Sequence, residues 1–122
     1  MSNAPQKNPP PLSPEQLKEL EALASHVNEL SKAGEHKEAL LIVDQILSLQ
    51  PFNDSAMQMK GEMLHKFGDD QKALEIAEEA LKINPNNFLC HRLMGIIYHK
   101  RRNLTQAEHH YTSALKIAPR MP

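Results

Sequence analysis

From Pro14 to Ile117 the apolar positions recur on an i, i+3/i+4, i+7 stripe, broken at short intervals by Gly, Pro and Asn. That period belongs to amphipathic helices and predicts an all-α chain. Helices are expected near 14–32, 36–49, 54–66, 70–83, 88–101 and 104–117. The stripe is clear in Ala73, Ala77, Ala80 and Leu81. Ser13-Pro14-Glu15-Gln16 marks the first start, with Ser as N-cap, Pro at the first helical position and Gln three residues after the cap.

The helical segments repeat every 34 residues. Pro51, Pro85 and Pro119 keep that interval, as do Ala39, Ala73 and Ala107, Leu47, Leu81 and Leu115, and Lys32, Lys66 and Lys100. Gly34 pairs with Gly68, and Gly61 with Gly95. Gly34 and Gly68 fall at the break between two helical patterns, where positive φ ends a helix. Gly61 and Gly95 lie mid-helix, where Gly costs about 1 kcal/mol relative to Ala. A cost paid twice implies close approach by a neighbouring helix, with the alanine column as the matching small surface. The prolines stop the second helix of each unit, because a residue before Pro is pushed out of the α region.

Residues 1–12 carry Pro5, Pro9, Pro10 and Pro11 and are expected to be disordered or extended. Residues 13–122 then form the repeat domain. Ser2-Asn3-Ala4 reads as the scar of a cleaved expression tag. Among 122 residues, 40% are hydrophobic and 24% charged, with net charge −1. That balance argues against a nucleic-acid partner, and 4% aromatics with no Trp leave no base-stacking platform. The longest apolar block, Ala39-Leu40-Leu41-Ile42-Val43, is too short for a membrane span. A lone Cys90 fits a reducing compartment. The chain is expected to be cytoplasmic, unless a signal peptide was removed with the natural N-terminus.

The pattern resembles the tetratricopeptide repeat, a 34-residue unit of two antiparallel helices. Three units are read at 20–53, 54–87 and 88–121. The third carries Gly95, Tyr98, Ala107, Tyr111, Ala114 and Pro119, and the second Gly61, Leu64, Gly68, Ala73, Ala77, Ala80 and Pro85. The first departs, with Val27 where the family prefers Gly and Ile46 where it prefers Ala, which implies looser or shifted packing there. The resemblance implies an α-solenoid, a right-handed superhelix whose first helices line a concave groove for a peptide or helix. On this sequence the implied lining is Glu21, Ala24, Asn28 and Ser31 in unit one. Unit two adds Ser55, Gln58, Met59, Glu62 and His65, and unit three Leu89, Arg92, Leu93, Ile96 and His99.

One subgroup of the family clamps acidic chaperone tails with Lys, Asn and Arg. Only Asn28 matches; Ala24, Met59, Leu89 and Leu93 occupy the other clamp positions and cannot hold a carboxylate. Leu89, Leu93 and Ile96 instead form an apolar strip beside Met59, suited to an apolar or amphipathic peptide. The alternative is that the strip is partly core, or is covered by a segment missing from this sequence.

Other chemistry is not indicated. Equivalent His65 and His99 are expected on the order of 10 Å apart, too far to share a metal. His109 and His110 diverge by about 100° on their helix. No phosphate loop, metalloprotease motif or activated nucleophile is present, so neither an enzyme nor a cofactor is expected. Cys90 and His91 do not face each other; Cys90 is expected to be partly buried between units. Leu104, Tyr111 and Leu115 on the last helix lack a solvating element after them; either the sequence is cut from a longer protein, or these residues are expected to meet another copy or a partner. Leu41 and Ile42 offer a second such contact. The reading is a protein-interaction adaptor or assembly scaffold. The alternatives are a secretion-type cytoplasmic chaperone, which shares the architecture, and self-assembly through the uncapped C-terminal helix.

Overall fold

The computed structural model describes residues 10–118, and every regular element among them is an α-helix. The helices are α1 (Pro14–Lys32), α2 (His36–Leu49), α3 (Asp54–Lys66), α4 (Asp70–Ile83), α5 (Phe88–Lys100) and α6 (Leu104–Ile117). These bounds follow the hydrophobic stripe to within a residue, α5 ending at Lys100 with Arg101 as its cap. None is long and apolar enough to cross a membrane. Most of the N-terminal Pro-rich segment, residues 1–9, lies outside the described residues, as does Pro119 with the three residues after it.

The ends are built as the sequence implies. Ser13 Oγ accepts from the Gln16 amide while Gln16 Oε1 accepts from the Ser13 amide, a complete capping box. Asp69, Asn87 and Asn103 cap α4, α5 and α6 in the same way, each accepting from an amide three residues on. Gln50 and Asn84, immediately before Pro51 and Pro85, leave the helical region at ψ 81° and 93°.

Each first helix closes on a left-handed residue, Gly34 at φ 79° and Gly68 at φ 85°; in the third unit the place is held by Arg102 at φ 61°. The same closing bond recurs across all three, from Glu35, Asp69 and Asn103 amides to Leu30, Leu64 and Tyr98 carbonyls. Arg there carries a Cβ penalty that Gly does not. Arg102→Gly is therefore expected to stabilise the third pair by about 0.5–1 kcal/mol, read as a rise in thermal midpoint. A fall would place Arg102 in a contact that outweighs its backbone.

The helices fall into two units, α1–α2 ending at Asn53 and α3–α6 beginning at Asp54. In the first, α1 packs on α2, and Val27, Ala39, Val43 and Ile46 are buried. Val27 and Ile46, the two departures from small residues, are 1% and 2% exposed.

In the second unit α3 packs on α4 and α5 on α6, and α5 also lies against α3 and α4. Its core joins Ala73, Leu74, Ala77 and Ala80 of α4 to Cys90, Leu93, Met94 and Ile97 of α5. The alanines keep α4 thin enough for α5 to approach. The mid-helix glycines serve a related end, though not by meeting alanine methyls. A Cβ on Gly61 would lie 3.0 Å from Leu93 Cδ2 and 3.3 Å from Ile76 Cγ2; one on Gly95 would lie 2.8 Å from Tyr111 Cε1. Each glycine makes room for a large side chain.

Candidate functional site

Helices α3 and α5 are neighbours and share a face. At its centre Gln58, 6% exposed, donates from Nε2 to Glu62 Oε2, and Arg92 Nη2 donates to Glu62 Oε1 at 3.3 Å. The carboxylate is thus held from both helices, and its charge offsets that of Arg92. Met59 and Leu89 are half-buried and Ile96 is 38% exposed, so apolar surface reaches solvent from both helices. His99 is exposed. Asn28 is an exposed residue of α1, in the first unit.

Leu93 does not join that surface. It is 2% exposed, with Cδ2 over the bare Cα of Gly61, and belongs to the core of the unit. Of the strip read from the sequence, Leu89 and Ile96 reach solvent and Leu93 turns inward, because Gly61 opens a hole on that side.

His65 is drawn to the end of α4. Its Nδ1 donates to Asp70 Oδ1 at 2.7 Å, and Lys100 Nζ reaches Asp70 Oδ2 at 3.1 Å. Burial alone would raise the Asp70 carboxyl, but hydrogen bonds and charge from His65 and Lys100 hold it below its ordinary value. At the other end of the face Asp54 Oδ2 accepts from Asn84 at 3.0 Å and from Asn87 at 2.9 Å.

These links between successive helix pairs went unread in the sequence, although a signal was there. Arg92–Glu62, Lys100–Asp70 and Arg101–Gln71 are all 30 residues apart. That is one helical turn short of the 34-residue repeat, and opposite charges at this offset mark stacked pairs.

Cys90 is fully buried, and burial, reinforced by the Asp54 and Glu62 carboxylates, pushes its thiol up to about 12. It packs rather than reacts. His109 and His110 do not diverge as their adjacency implied: their rings meet edge-on with centroids 5.0 Å apart, and His110 also meets His91 of α5, Nδ1 to Nδ1 at 3.1 Å. Among the described residues no three His, Cys, Asp or Glu side chains group as a metal site.

On α6, Leu104 and Leu115 are 63% and 54% exposed, whereas Tyr111 is half-buried with its ring against Gly95. Glu108 stands exposed 34 residues after Leu74, which α4 buries in the core. The outer side of α6 is therefore mixed, with a polar middle of Thr105, Glu108, His109 and Thr112 and two exposed leucines.

Residues 54–87, which are α3 and α4 with their turns, match the tetratricopeptide repeat family. No curated protein sequence matches the chain. Among solved structures, the first tetratricopeptide domain of Spaghetti (RPAP3), bound to the HSP90 peptide SRMEEVD, superposes with TM-score 0.77 at 16% identity, over 85% of this chain and 82% of that one. MamA MSR-1 C2 gives TM-score 0.69 at 18% identity over 83% of this chain, and the MamA RS-1 ArsTM double mutant 0.70 at 18% over 80%. The chain spans 58% and 55% of those two MamA chains. With one repeat matched, and helix pairs on the same 34-residue register before and after it, the chain has the fold of tetratricopeptide-repeat proteins, in three helix pairs.

Proposed function

We propose that the protein is an interaction module that docks a segment of a partner polypeptide on the face shared by α3 and α5. The observation that carries this reading is the composition of that face. Met59, Leu89 and Ile96 leave apolar surface open around a Gln58–Glu62–Arg92 network already tied together. A functional groove needs apolar surface for affinity and a few fixed polar groups for orientation. Glu62 fills one side of the Arg92 guanidinium, and the remaining N–H groups point to a neutral acceptor, such as a peptide carbonyl.

A tetratricopeptide structure of similar fold holds the peptide SRMEEVD, which supports a peptide as the ligand class here. An acidic tail suits this face less well. Glu62 repels it, and Met59 and Leu89 offer it no donor. The module is read as an adaptor or scaffold that recognises an apolar or amphipathic segment, with His65 and His99 at the margin.

The test is selection from a peptide phage library on the immobilised chain. Enriched peptides are expected to carry two or more apolar side chains and no run of acids. Ile96→Glu, which changes an exposed side chain, is expected to weaken them at least tenfold. Enrichment of acidic C-termini, or equal binding to Ile96→Glu, would remove the assignment. A second reading, self-association through α6, rests on the exposure of Leu104 and Leu115 with Tyr111 between them. A concentration-dependent mass that Leu104→Lys/Leu115→Lys returns to monomer would favour it.

A further inference from the structure

Between α5 and α6 the structure gathers ionisable rings that the peptide face does not use. His110 of α6 is 8% exposed, and its ring stacks on Tyr98 of α5 at 5.7 Å and 8°. His91 Nε2 lies 3.2 Å from the Pro85 carbonyl, and His91 Nδ1 lies 3.1 Å from His110 Nδ1. A carbonyl only accepts, so His91 Nε2 carries the proton and donates to it. His91 Nδ1 is then the acceptor, and His110 Nδ1–H donates to it. The chain Pro85–His91–His110 closes with both rings neutral. With a proton on both rings the two Nδ1–H groups would stand head to head.

Two further observations make this arrangement a device rather than packing alone. Thirty-four residues earlier, Met57 and Ile76 occupy the places of His91 and His110, so the repeat packs there without ionisable groups. Among the described residues α6 packs on α5 alone, whereas α5 also holds to α3 and α4. A helix fastened on one side opens without unfolding the rest.

We propose that α6 is an acid-released helix, latched on α5 at neutral pH by the His91–His110 hydrogen bond and let go as the imidazoles gain protons. The groups facing His110 are His91 and Tyr98 from α5 and His109 beside it on α6, and no carboxylate acts on it to hold a charge in place. Burial, with the His91 and His109 charges, lowers the His110 imidazole to about 4. Released into water, it returns to about 6.5. Above about 6.5 neither state takes the proton and the latch is whole. As pH falls from there toward 4 the open state protonates first, and the latch weakens. From pH 7.5 to 4.5 the opening equilibrium is expected to rise roughly 70-fold.

Amide hydrogen exchange on the full chain, corrected for intrinsic rates, reads this directly. Protection in α6 is expected to fall roughly 70-fold over that range while α4 holds steady. His91→Met/His110→Ile, copied from the preceding pair, is expected to keep α6 protected at both pH values. Unchanged α6 protection in the wild type, or the same loss in the double variant, would overturn the proposal. An NMR titration of the wild-type His110 ring needs no variant: a midpoint well below the ordinary histidine value is expected, and an ordinary midpoint would also overturn it.

Discussion

Leu93→Glu is expected to unfold the α3–α6 unit rather than to block a surface. Leu93 is 2% exposed among Ala73, Ala77, Met94 and Ile97, with its Cδ2 against Gly61. No cation lies in that apolar cluster to pair with a carboxylate. Losing the buried isobutyl group costs about 2–5 kcal/mol, and desolvating an unpaired acid adds to it. Against a total stability of about 5–15 kcal/mol, that is enough to remove the fold at ordinary temperature. Leu93→Ala should cost about 3 kcal/mol and leave a lowered but cooperative melt. Circular dichroism decides: a helical Leu93→Glu variant melting near the wild type would return Leu93 to the surface.

The second large effect is a change of sign. In an open helix Gly→Ala gains about 1 kcal/mol. At Gly95 the new Cβ would meet three Tyr111 ring atoms between 2.8 and 3.1 Å, closer than carbon atoms approach. Gly95→Ala is therefore expected to lose about 1–2 kcal/mol net, as the ring is forced from its seat. With Tyr111→Ala already present the seat is empty, and the same Gly95→Ala should stabilise. Gly61→Ala should be milder, since its neighbours are the methyl groups of Leu93 and Ile76, which yield by tenths of an ångström. Urea denaturation of the four chains in the Gly95–Tyr111 cycle gives the coupling. Equal stabilisation of both backgrounds would show that the ring is not what Gly95 accommodates.

The fold was legible because its signals are local and repeated. The helix bounds follow a 3.6-residue stripe, the caps follow Ser13, Asp69, Asn87 and Asn103, and the breaks follow Gly34, Gly68 and the prolines. Arg102 broke the glycine column without breaking the turn, because the closing Asn103–Tyr98 bond is backbone. The site was legible only in part. A helical stripe tells which residues share a side of α5, but whether Leu93 faces solvent depends on a hole in α3 that Gly61 makes. The acceptors Asp54 and Asp70 join residues 30 or more positions away, and their role depends on how one helix pair rests on the next. His91 and His110 meet across two helices, which adjacency along one helix cannot reveal.

The central claim is that α3 and α5 together receive a partner segment. Its most direct test is an amide-shift titration of the isotope-labelled chain with a phage-selected peptide. Shifts concentrated at Met59, Glu62, Leu89, Arg92 and Ile96, with α4 and α6 quiet, are the predicted result. Shifts centred on Leu104 and Leu115 of α6, with the α3–α5 face unmoved, would contradict it.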